Sequence, residues 1–140
     1  MSRSTGEQLG PRDPAIEDVL GPLGAAVMRV VWAQGESSVS TILEVLNAER
    51  ERPLAYTTVM TIAVRLFERG LLEREKRGRQ FVYTPANDEP ALLERMSGRE
   101  VDQLLARYGT TALRQFAARL ADVDPQLRSR ILALARRRAR

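Results

Sequence analysis

The sequence predicts a mainly α chain of the α+β class, and three observations predict it. Apolar residues recur at helical spacing in three short stretches between residues 23 and 69. The period then falls from 3.6 to 2 across "LLEREKRGRQFVYTP". After residue 87 the helical spacing returns and holds to the end.

Residues 1–20 mix Ser, Gly, Pro and charges without period, so a flexible N-terminal tail is expected there. From Leu23 the residues Ala26, Val27, Val30 and Val31 follow at i+3, i+4, i+7 and i+8, a helix with Gly35 as its C-cap. Trp32 closes that helix as a core anchor. In "ESSVSTILEVLNAERER", Ser38 or Ser40 can cap a second helix whose buried stripe is Ile42, Leu43 and Leu46, with Pro53 as its stop.

The third helix, 55–69, opens on "AYTTVMT" and ends at Gly70. Advancing about 100° per residue, Val59, Ile62, Ala63, Leu66 and Phe67 fall on one side. Thr57, Thr58, Met60, Thr61, Val64, Arg65 and Glu68 fall on the other. Threonine is a poor helix former, and methionine is costly to leave in water. The core face is complete without them, so the outward surface needs its own explanation.

In the hairpin, 72–84, Leu72, Arg74 and Lys76 alternate with Glu73, Glu75 and Arg77, then Phe81 and Tyr83 with Val82 and Thr84. One of the two aromatics is expected in the core. Gly78 is the turn, Pro85 the terminator, and Lys76, Arg77 and Arg79 make a basic tip. Three short helices followed by a basic two-stranded hairpin is the layout of a winged helix-turn-helix domain, expected over 21–86.

Residues 87–140 read as a helical dimerisation domain. Asp88 caps a helix with Pro90 in its first turn, and Leu92, Leu93, Met96, Val101, Leu104, Leu105 and Tyr108 along it. "YGTT" breaks the pattern. Leu113, Phe116, Ala117 and Leu120 mark the next helix. Asp124 caps the last, with Pro125 first and Leu127, Ile131 and Leu134 as its stripe. These helices are too few to bury their apolar faces alone. A homodimer is therefore expected, joined through Leu104, Leu105, Leu113, Phe116, Leu120, Leu127, Ile131 and Leu134.

Composition narrows the chemistry. The 140 residues are 44% hydrophobic, with no Cys and no His. Disulfides, thiol catalysis and zinc-thiolate sites are excluded, and the commonest general base is missing. No apolar run approaches a membrane span and "MSRSTGEQLGPRDPAIED" lacks a secretory stretch, so a cytoplasmic protein is expected. No phosphate loop or nucleophile motif appears, and no catalytic residue, metal ligand or cofactor is assigned. Basic residues gather in 56–85, with six Lys and Arg against three acids, and in 125–140, with six Arg and no acid. Two basic blocks around an acidic stretch suggest a polyanion partner. The terminal "ARRRAR" is read chiefly as a helix end that suits the dipole.

The outward face of the third helix now has a use. A helix start directs unpaired N–H groups outward, which suits a phosphate. Threonine hydroxyls and the methyls of Thr and Met60 are small enough to enter a groove, where methyls touch thymine. Arg65 reaches a phosphate or a guanine edge from the same face. The alternative is that Thr57 and Thr58 are only caps and Met60 filler. Tyr56 either meets a phosphate or packs at the start of the helix.

"LGPLGAAVMRVVWAQG" and "AYTTVMTIAVRLFERGLLEREKRGRQFVYTP", with the helical tail, resemble the penicillinase and methicillin-resistance repressor family (the BlaI/MecI/CopY group) over about residues 21–136. The resemblance implies a winged-helix dimer on an inverted-repeat operator in double-stranded DNA, repressing transcription. It makes the third helix the recognition helix, with Thr57, Thr58, Met60 and Thr61 reading bases and Arg65 further along. Tyr56, Lys76, Arg77 and Arg79 would hold the backbone. It also implies an inducer or a protease that lifts repression. Resistance members are cut at an Asn-Phe bond in the first tail helix, where this chain has Arg99-Glu100. The copper-responsive branch carries a cysteine-rich tail that this chain lacks. The competing reading is a winged-helix interaction module without DNA binding; an enzyme using carboxylates alone is weaker still.

Overall fold

The computed structural model describes residues 15–138, so the expected tail lies outside the described residues as far as residue 14. Helix α1 is Ile16–Gln34, β1 is Ser37–Ser38, α2 is Val39–Asn47 and α3 is Tyr56–Glu68. The hairpin is β2, Leu72–Arg77, and β3, Gln80–Pro85. Helices α4, Glu89–Tyr108, α5, Thr110–Ala121, and α6, Pro125–Arg138, follow. This is a winged helix followed by further helices.

Helix α1 starts seven residues before Leu23, and its first turns belong to the segment expected as tail. Gly21 explains why the period seemed to begin later. Its φ of 77° breaks the helix, and Pro22, with φ preset and no N–H to lose, restarts it. Ile16 is fully buried ahead of the break. At the other end Gly35, φ 79°, donates to the Val31 carbonyl at 2.8 Å, as a glycine C-cap should.

Helix α2 ends at Asn47, well short of Pro53. Ser38 is its cap, accepting from the Thr41 N–H at 3.2 Å. The residues after Asn47 leave the helix because its side-chain amide takes both backbone groups of Leu54, at 3.1 and 2.8 Å.

The hairpin gains a third strand that no period-2 signal marked. Ser37 pairs with Tyr83 and Ser38 with Val82, giving an antiparallel sheet in the order β1-β3-β2. Two residues are too short to show an alternation. Gly78, at φ 64°, is the first residue of a two-residue loop with Arg79, the position where a type II′ turn requires positive φ. Tyr83 is the aromatic in the core, 1% exposed, against 37% for Phe81.

The core joins Val27, Met28 and Val31 of α1, Ile42 of α2, Val59, Ala63 and Leu66 of α3, Leu71 just before the hairpin, and Leu72 and Tyr83 within it. Trp32 packs against it half-buried, its indole N–H donating to the Asn87 carbonyl at 2.8 Å. Leu92 and Met96 of α4 are in the same core. The first compact unit therefore runs to Ser97, and the expected boundary at 86/87 falls inside it. The sheet ends near Pro85, but Leu92, Leu93 and Met96 continue the core into the first turns of α4.

From Gly98 onward the chain forms a second unit. Asp124 caps α6 through the Leu127 N–H at 3.2 Å, as Asp88 caps α4 through that of Ala91 at 2.9 Å.

Candidate nucleic-acid interface

The lead-in to α3 is held by the Asn47–Leu54 pair, and Ala55 is the N-cap. Alanine offers no acceptor and no acid stands in the first turn, so no side chain caps this start. Tyr56, Thr57 and Thr58 are the first three helical residues. The capping alternative for the two threonines is thereby removed.

Along the outer side, Tyr56 is 47% and Met60 40% exposed. Thr57, Thr61 and Arg65 are exposed and Thr58 is half-buried. The Thr61 hydroxyl donates to the Thr57 carbonyl at 2.8 Å on this exposed side. Val59, Ala63 and Leu66 hold the opposite face in the core. The C-terminal end is fixed as well: Gly70 has φ 76°, and Arg95 of α4 donates to its carbonyl at 3.0 Å.

On the hairpin, Lys76 and Arg79 are exposed. Arg77, expected beside them as a backbone clamp, is engaged elsewhere. Its guanidinium makes a two-pronged ion pair with Glu36 at 2.9 and 3.1 Å, and reaches Glu75 at 3.5 Å. The hydrogen bonds from Arg77 hold the Glu36 carboxyl below its ordinary range, and Glu36 in turn raises the guanidinium. The partner is distant in sequence and adjacent only through the sheet. Glu36, Glu73, Glu75, Arg77, Val82 and Thr84 line a shallow cavity of about 170 Å³ together with Arg74, and its charge is net acidic.

Sequence reasoning passed over Arg74. Its guanidinium lies between the Phe67 ring of α3 and the Phe81 ring of β3, 4.0 Å from each centroid. The signal was present in the alternation: Arg74 shares a strand face with Leu72, and in the antiparallel register it stands diagonal to Phe81.

In the second unit Leu104, Leu113, Phe116, Ile131 and Leu134 are 39–58% exposed, and Leu105, Leu120 and Leu127 are half-buried. Helix α6 buries no residue. No helix among the described residues is long and apolar enough to cross a membrane. None of them form a metal-holding group of three or more His, Cys, Asp or Glu.

The chain is 35% identical over 68 residues to the penicillinase repressor of Bacillus licheniformis, covering 49% of this chain and 52% of that one. It is 37% identical over 86 residues to the transcriptional regulator BlaI of Mycobacterium tuberculosis, covering 61% and 59%. The chain thus spans little more than half the length of these relatives. A solution structure of the DNA-binding domain of the repressor BlaI shares 31% identity at a TM-score of 0.43, over 48% of this chain and 79% of that one. The model of the penicillinase repressor family matches residues 20–136, most of the chain. The protein belongs to the penicillinase repressor family, a family of transcriptional repressors rather than enzymes.

Proposed function

We propose that the protein is a cytoplasmic homodimer that binds an inverted-repeat operator and represses transcription by occupying it. Helix α3 lies in the major groove and the β2–β3 hairpin on the backbone. The observation that carries this reading is the uncapped start of α3, which presents Tyr56, Thr57, Met60 and Thr61 to solvent while the core face is separately filled. Unpaired first-turn N–H groups suit a phosphate, and hydroxyls and methyls suit base edges. Arg65 on the same helix and Lys76 and Arg79 on the hairpin add positive charge beside them.

The apolar residues left exposed on the second half of α4, on α5 and on α6 support dimerisation. Two recognition helices in such a dimer stand about one DNA turn apart, roughly 34 Å, and read a two-fold symmetric site. Selection from a random duplex pool tests this. An enriched inverted repeat with half-sites about 10 base pairs apart supports it. Retention without any enriched sequence refutes base readout.

A further inference from the structure

We infer that Arg74, rather than Arg77, is the arginine that the hairpin gives to a DNA phosphate. The inference rests on the DNA-binding reading above and changes which side chains carry it.

An arginine serves a phosphate well when its fork is held in place and its N–H groups are unspent. Arg77 fails the second condition. Both of its terminal nitrogens are on Glu36, and Glu75 stands beside them. A phosphate approaching it meets two carboxylates and would have to displace one.

Arg74 meets both conditions. The guanidinium carbon lies 4.0 Å from the centroids of both the Phe67 and the Phe81 ring, so two aromatic contacts restrain the group. Among the described residues no acceptor takes a hydrogen bond from the guanidinium, and no carboxylate forms an ion pair with it. The side chain is half-buried, so the rings also strip away part of the water that would compete with an anion.

Its place in the fold suits the task. Phe67 belongs to the last turn of α3, and Phe81 belongs to the hairpin. The guanidinium therefore joins the last turn of α3 to the hairpin. Lys76 lies two residues on along the same strand face. Glu73, Glu75 and Arg77 occupy the other face, where the acidic cavity opens that Arg74 also borders.

The full chain is titrated with its selected duplex across a series of salt concentrations. Each phosphate contact contributes about 0.9 to the slope of log affinity against log salt. Arg74→Gln is expected to reduce the slope by about that amount and to weaken binding about ten- to a hundredfold. Arg74→Lys keeps the charge and loses the stacked fork, so it should retain most of the slope with weaker binding. Arg77→Gln should leave the slope unchanged. Far-ultraviolet dichroism confirms that each variant is folded; should Arg74→Gln not fold, Arg74→Lys and Arg77→Gln still decide the matter. A slope reduced by Arg77→Gln and unaffected at Arg74 overturns the assignment. Failure of the unaltered protein to bind any duplex overturns it together with the DNA-binding reading, a result distinct from a binding protein whose slope ignores Arg74.

Discussion

Asn47 and Leu54 exchange two hydrogen bonds, the side-chain amide donating to the Leu54 carbonyl at 3.1 Å and accepting from its N–H at 2.8 Å. One side chain thus does for Leu54 what a neighbouring strand would do, and it sets where α3 begins. Asn47→Ala leaves both partly buried groups of Leu54 without protein partners. It should cost about 1–3 kcal/mol in urea unfolding. Asn47→Asp, which keeps the acceptor and loses the donor, should cost less. Equal stability of the alanine variant and the original chain would show that water replaces the clamp.

The outward residues of α3 should behave in the opposite way. Thr57 and Met60 are exposed, so Thr57→Ala and Met60→Ala should change stability by no more than about 0.5 kcal/mol. Their effect should appear as altered base preference in selection from random duplexes, worth about 1–3 kcal/mol at the affected position. Unchanged preference with unchanged affinity would remove them from the interface.

The Glu36–Arg77 pair gives a pH dependence whose sign is fixed. A carboxylate whose pKa is depressed on folding stabilises the fold at neutral pH. That contribution fades as pH falls through the lowered value. Glu36, depressed by the hydrogen bonds from Arg77, belongs to this class, as does Glu17 beside Arg29. Both are solvent-exposed pairs, which ordinarily contribute little. The titration itself is the better readout. Followed by NMR, the Glu36 carboxyl should titrate lower than an ordinary glutamate in the unaltered protein and return upward in Arg77→Gln. Identical midpoints would mean that the pair does not persist in solution.

Association should reside in the second unit. Leu113→Glu or Phe116→Glu places charge at an apolar side chain that is 53% or 40% exposed, respectively, in the single chain. Sedimentation should show a dimer for the original protein and monomers for these variants, with thermal unfolding of the first unit little changed. A monomeric original protein would contradict the dimer.

Much of this was legible in the sequence because it depends on local spacing. The core face of α3, the valines of α1, the change of period into the hairpin, the choice of Ser38 or Ser40 as a cap, and the caps at Asp88 and Asp124 all follow from neighbours a few residues apart. The fully buried Ala25 and Met28 of α1 lie outside the expected stripe. The missed features are those that tertiary contact decides. Ser37–Ser38 becomes a strand only because β3 is beside it, and Arg77 loses its freedom to a glutamate 41 residues away. Asn47 ends α2 early through a bond to Leu54 that helix periodicity does not register. Leu92 and Met96 looked like the start of a separate helical domain, since a stripe reveals that a face is buried and not what buries it.

A fold that reads base sequence rather than merely charge is tested most directly by the ratio of affinities for the selected inverted repeat and for a scrambled duplex of equal length, at one near-physiological salt concentration. The expected ratio is about 10³ or more, lowered by Thr57→Ala or Met60→Ala. Equal affinities for the two duplexes would contradict it.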